Sequence, residues 1–148
     1  MKKHILLTVL LTLALALSAC GAKSELDSNR EKWEGQSVTH YRFDLTIACF
    51  CPFRSVMPVK VEVLDGKIVS ITDINGQPLD DLFRSTFEEA GTVENLFALA
   101  EENLANADKV EIVYDATYGF PASIVVDRIE MAMDDEISYF VENFEVLE

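Results

Sequence analysis

The sequence predicts an α+β fold: a mainly antiparallel β-sheet of about six strands with one main helix packed on a face. Three observations predict it. Apolar and polar residues alternate through several short segments, and an Asp65-Gly66 pair joins two of these segments. A single longer stretch, residues 92–106, repeats its apolar positions at helical spacing.

The chain opens with a segment of another kind. Lys2 and Lys3 precede an uncharged run from Ile5 to Leu17, interrupted only by Thr8 and Thr12. That run is too short to cross a hydrocarbon core of about 30 Å as a helix, and it has the order of an export signal. Leu17-Ser18-Ala19-Cys20 resembles the lipobox of bacterial lipoproteins, in which the cysteine is lipidated and becomes the mature N-terminus. The expected division is a signal peptide over 1–19, a lipidated N-terminus and tether over 20–29, and one domain over 30–148. Two or more acyl chains, at about 0.8 kcal/mol per buried CH₂, hold a domain at a membrane without a spanning helix. The expected location is extracytoplasmic, through a lipid anchor at Cys20. Gly21, rather than Asp, follows that cysteine. In a two-membrane host this leans toward the periplasmic face of the outer membrane; a single-membrane host would leave the protein on the outer face of the cell membrane.

Within the domain, Arg30 to Gly35 form a brief amphipathic segment whose Trp33 is expected to pack on the sheet. Residues 40–51 alternate. Tyr41, Phe43, Leu45, Ile47, Cys49 and Cys51 share one face, while His40, Arg42, Asp44, Thr46, Ala48 and Phe50 share the other, and Pro52 stops the strand. Val59, Val61 and Val63 begin a second strand, which turns at Leu64-Asp65-Gly66 into a third. A two-residue loop would set Val61 beside Ser70. A three-residue loop with Gly66 left-handed pairs Val61 with Val69 and Val59 with Ile71. The second choice keeps apolar faces together and is the register expected. Asn75-Gly76-Gln77-Pro78 ends the hairpin. Thr92 is a suitable N-cap for a helix to about Asn106, with Val93, Leu96, Phe97, Ala100 and Leu104 inward and Glu94, Glu101 and Glu102 solvated. Strands near 109–114, 122–127 and 137–146 complete the sheet.

Composition restricts function. The formal net charge is −14, and loss of Lys2 and Lys3 makes the mature chain more negative still. Nucleic acid needs a basic footprint, which is missing here. After processing, His40 is the sole histidine, so a His-based hydrolase or a multi-His zinc site has little to build with. No catalytic residue, cofactor or metal ligand is assigned.

Cys49 and Cys51 are the sharpest feature, and three readings stand. They form a local disulfide, favoured because two neighbouring thiols rarely stay reduced outside the cytosol. They are free thiols with a redox role, or hold a soft metal such as copper(I) with Met57 as a third ligand. Or they are small buried hydrophobes. A regular strand would set their Cα atoms about 6.6–6.8 Å apart, so a bond requires the strand to bend near Pro52. Tyr114 to Pro121 also has two readings. One is a ligand-contacting loop using Asp115 and two exposed aromatics, Tyr118 and Phe120. The favoured one is a plain connection, with Gly119 at positive φ and Pro121 fixing the exit. Asp134-Asp135-Glu136 lacks the oxygen spacing and glycine of an EF-hand, and reads as a solvated turn.

With these pieces placed, the sequence resembles a family of uncharacterised bacterial lipoproteins that carry a domain of unknown function. The resemblance rests on Trp33, Tyr41-Arg42-Phe43, Cys49-Phe50-Cys51-Pro52, Asp65-Gly66, Thr92-Val93-Glu94-Asn95-Leu96-Phe97 and Tyr114–Pro121. Ala116 and Phe120 stand where that family usually has Pro and Tyr. The resemblance implies the class and the extent of the domain, and no activity. The function expected is a non-enzymatic binding or interaction module of the cell envelope, with an envelope protein as partner. The alternative is a thiol redox or soft-metal protein acting through Cys49 and Cys51.

Overall fold

A computed structural model describes residues 23–148. The expected signal peptide, 1–19, and Cys20 lie outside the described residues. Six strands form one antiparallel sheet in the order β3-β2-β1-β6-β5-β4, with helices on one face. The strands are β1 (His40–Ala48), β2 (Val59–Leu64), β3 (Lys67–Thr72), β4 (Lys109–Tyr114), β5 (Pro121–Asp127) and β6 (Ile137–Val146). The helices are α1 (Glu25–Gln36), α2 (Asp81–Glu88) and α3 (Val93–Asn106). The chain thus makes two three-stranded meanders, joined by α2 and α3, and β6 closes against β1.

α1 begins at Glu25, inside the stretch expected as a tether. The Ser24 hydroxyl accepts from Asp27 N–H (3.1 Å), and Glu25 and Asp27 place negative charge in the first turn, where the helix dipole favours it. Only Leu26 and Trp33 turn inward, so most of the helix is solvated and reads as polar linker. α2 has no counterpart in the sequence prediction. Asp80 caps it by accepting from Leu82 N–H (2.8 Å), and Phe87 seals it onto the core. α3 matches expectation, with the Thr92 hydroxyl accepting from Asn95 N–H (3.1 Å). Its one departure is Leu104, which is exposed. Ala100 is the last fully buried residue of α3, and Leu104 reaches only a shallow groove beside Leu26 and Val110.

β1 alternates as expected, with Tyr41, Phe43, Leu45 and Ile47 buried against the helices. Its other face carries polar pairs: the ion pairs Lys60 with Asp44 (2.5 Å) and Arg42 with Glu145 (2.6 Å), and His40 Nε2 hydrogen-bonded with Glu62 (2.9 Å). Burial works against the Asp44 carboxylate, but hydrogen bonds from Lys60 and Asn143 outweigh it and hold its pKa below the usual range.

The β2–β3 register differs from both loop options. Asp65 (φ 50°) and Gly66 (φ 71°) make a two-residue turn, with Leu64 opposite Lys67 and Val63 opposite Ile68. A bulge then intervenes, so Glu62 faces Ser70 and Val61 faces Ile71. The extra residue is Val69, which points to solvent. A tight turn alone would have exposed Ile71, and the bulge restores it to the core. β6 uses the same device. Asn143 adopts φ 52° where the β1–β6 register shifts, and Phe144 rather than Asn143 meets the core.

Candidate functional site

Trp33, Tyr41, Phe120 and Phe144 cluster at the end of the sheet where β1 begins. Trp33 meets the other three edge-on, with ring centroids 5.4–6.2 Å away. Its indole N–H donates to Glu94 (3.1 Å), and the Tyr41 hydroxyl accepts from Val93 N–H (3.0 Å) at the start of α3. Burial pushes the Tyr41 phenol pKa up.

The β4–β5 loop closes onto this cluster. Asp115 accepts from Thr117 N–H (2.8 Å) and Tyr118 N–H (2.6 Å). Gly119 adopts φ +86° with Asn29 O of α1 only 2.8 Å from where a Cβ would stand, and Lys32 Nζ donates to Ala116 O (2.5 Å). Phe120, which the ligand-contacting reading of the loop takes as exposed, is 2% exposed. Tyr118 is partly buried against the core. The apolar character that suggested ligand contact serves to dock the loop on α1 and β6.

The opposite end is built differently. β1 pairs with β2 only as far as Leu45 and with β6 as far as Ala48, after which the chain bends. Cys49 and Cys51 are bonded as a disulfide with Cα atoms 5.2 Å apart, well inside the range a disulfide needs. The bend supplies the shortening that a straight strand denies. Phe50, inside this small ring, is 90% exposed. Beyond Pro52, Phe53 is buried against Phe83 and Phe87, and a short 3₁₀ turn, Arg54–Val56, follows. Met57 then returns to β1, where its Sδ accepts from Ile47 N–H (3.2 Å). The disulfide loop is thus pinned on both sides while its tip stays open.

The disulfide borders two hollows. One, of about 320 Å³, is lined in part by Ile47, Cys49, Cys51, Arg54 and Met57. The other, of about 510 Å³, lies between Phe50, Pro52, Arg54 and the same two cysteines. Arg54 borders both, and no carboxylate lines either. In so acidic a chain this is a locally cationic spot. Sequence reasoning passed over Arg54; the available signal was that no other cation lies between Arg42 and Lys60.

The sulfur pair does little for stability. By loop-closure entropy, a ring over one intervening residue contributes about 1.5 kcal/mol, against about 3 for a fifteen-residue loop. Its neighbours on β1, Ile47 and Ala48, are already held by β6. What the arrangement offers is chemistry: a half-buried sulfur–sulfur bond that packs on the core and borders open hollows, a cation on their rim, and an apolar surround.

The remaining acidic run serves a turn. Asp135 accepts from Ile129 N–H (2.7 Å), closing the β5–β6 connection. Among the described residues no group of three or more His, Cys, Asp or Glu side chains is placed to hold a metal ion. No helix among them is long and apolar enough to cross a membrane.

No curated protein and no solved structure matches the chain. One family model does, over residues 25–146, from the first residue of α1 to the last of β6 and so across both the disulfide loop and Tyr114–Pro121. The chain belongs to DUF6174, a family of unknown function.

Proposed function

We propose that this protein works by thiol–disulfide exchange at Cys49–Cys51, outside the cytosol, held to a membrane by lipid on Cys20. The observation that carries the reading is the closed, half-buried disulfide that borders two open hollows beneath the exposed Phe50, with Arg54 on their rim. A thiolate of a partner dithiol attacks one sulfur, the Cys49–Cys51 bond breaks, and a mixed disulfide forms. The other cysteine leaves as a thiolate, and the Arg54 guanidinium offsets its charge. The partner's second thiolate then attacks the mixed disulfide. The partner leaves oxidised, and Cys49 and Cys51 are left reduced by two electrons.

A reading as an interaction module draws on the same end of the molecule. Met131 and Met133, in the loop that leads into β6, are exposed like Phe50, and that loop enters the sheet at the end where Ala48 of β1 pairs with Ser138 of β6. An envelope protein delivering a thiol would meet this apolar rim first.

Equilibration with graded dithiol–disulfide buffers, followed by alkylation and intact mass, tests the exchange reading. A midpoint near about −200 mV supports it; a bond that resists reduction below about −300 mV is structural and sinks it. The anchor is tested apart from this. Replacing Cys20 with Ser should abolish lipid labelling, and a labelled Cys20→Ser protein would refute the anchor while leaving the sulfur chemistry standing.

A further inference from the structure

We infer that reducing the Cys49–Cys51 bond uncovers a binding site for one copper(I) ion, formed by the two thiolates and the Met57 thioether. This rests on the reducibility of the same bond, but not on exchange with any partner.

Three placements converge. Cys49, Cys51 and Met57 border one hollow of about 320 Å³. Met57 is fixed there because the 3₁₀ turn carries it back to β1, where its sulfur lies 3.2 Å from Ile47 N, two residues before Cys49. β1 has lost β2 as a partner at that level, since their pairing ends at Leu45 opposite Val59. The thioether therefore takes the place of a strand carbonyl on the Ile47 N–H. Sulfur is a weak acceptor, so turning Met57 toward a metal gives up little.

The donor set selects the ion. Thiolate and thioether sulfurs favour copper(I), while magnesium and calcium demand oxygen and a structural zinc site wants four ligands. The hollow has no carboxylate or imidazole on its lining. Charge fits as well. Copper(I) with two thiolates carries one net negative charge, and Arg54 on the rim supplies one positive charge.

The site exists in one redox state only. In the oxidised protein the cysteine sulfurs are spent on each other, leaving one thioether, which is too weak alone. A dithiol donor passes two electrons and two protons to the disulfide and is itself oxidised to a disulfide. Copper(I) then replaces the two thiol protons, which are released to solvent. Copper loading would thus depend on the redox state of the compartment.

The test uses the purified chain carrying Cys20→Ser, so that no third thiol competes. It is reduced with a dithiol, freed of reductant without air, and titrated with copper(I) against a chromophoric copper(I) chelator. One ion per chain is expected in the reduced form and none in the oxidised form, with ultraviolet thiolate-to-copper charge-transfer absorption on loading. Met57→Leu, which preserves volume but removes the thioether, should weaken binding about tenfold or more. Cys49→Ser should abolish stoichiometric binding. Equal affinity in the parent and Met57→Leu, or no binding by the reduced parent, overturns the proposal. If the bond reduces at a moderate potential yet copper does not bind, the metal site fails and the exchange reading survives. If the bond cannot be reduced, both fall.

Discussion

The two most distinctive stretches of this chain, Tyr114–Pro121 and Cys49–Pro52, lie at opposite ends of one sheet and are used in opposite ways. Both are short, rich in aromatics, and contain a proline. In the first, every notable group is taken up internally: Asp115 by two backbone N–H groups, Gly119 by close contact with α1, Phe120 by the aromatic cluster. In the second, Phe50 stands in solvent and the sulfur bond borders open hollows. Distinctiveness in a sequence marks constraint. Whether that constraint is packing or chemistry depends on where the groups find their partners.

Substitution can break this contrast. Phe120→Ala should cost about 3–5 kcal/mol of stability, because it empties a fully buried site; Phe50→Ala should change stability by no more than about 0.5 kcal/mol. Urea unfolding of the two variants gives the answer, and similar midpoint shifts would erase the distinction between the ends.

Gly119→Ala sharpens the first region. The residue adopts positive φ, and a Cβ there would meet Asn29 O at 2.8 Å, so a loss of about 2 kcal/mol is expected. Gly66 has similar φ but no atom within 4 Å of its would-be Cβ, and Gly66→Ala should cost about 1 kcal/mol. A reversed order in thermal melting would show that the loop is not docked on α1.

At the other end, replacing both Cys49 and Cys51 with Ser should cost about 1.5 kcal/mol or less. A much larger drop in unfolding free energy would make the bond a structural staple and draw the two regions together.

A smaller effect than any of the losses at the glycines and the cysteines belongs to Asp44, on the strand that joins the ends. Its folded pKa is depressed, so its stabilising contribution is present above its unfolded value of about 3.9 and is lost as pH falls through the lower folded value. Asp44→Asn should lower stability near pH 6 by under about 1 kcal/mol, and the gap should close as pH falls below the folded value. A gap that widened on acidification would contradict the Lys60 pairing.

Much of this architecture is legible in the residues. β1 and β2 announce themselves by strict alternation, and α3 by its cap and its periodic core face. α2 is not, because a two-turn helix holds few apolar positions, and only Asp80 and the Phe83–Phe87 spacing signal it. α1 hides because it buries two residues of twelve. The hairpin register fails for a different reason. A bulge is set by twist and by the demands of the whole core, and Asp65-Gly66 specifies only the turn. At the candidate site the cysteine pair is visible at once, but its bond depends on the bend after Ala48. Phe50 and Phe120 read alike as letters, and only the third dimension separates them.

The bulge at Val69 has a consequence beyond side-chain parity, for β3 is an outermost strand of the sheet. A bare edge offers unpaired amides to any extended chain that drifts alongside. Here that row starts at Lys67, kinks in the middle and is covered at its far end, where Leu79 N–H donates to Ile71 O (3.0 Å), so an incoming strand finds no continuous template on which to zip. The other border, β4, is short and carries the Lys109–Glu111 ion pair. An irregularity that keeps Ile71 dry also guards the molecule against growing into fibres.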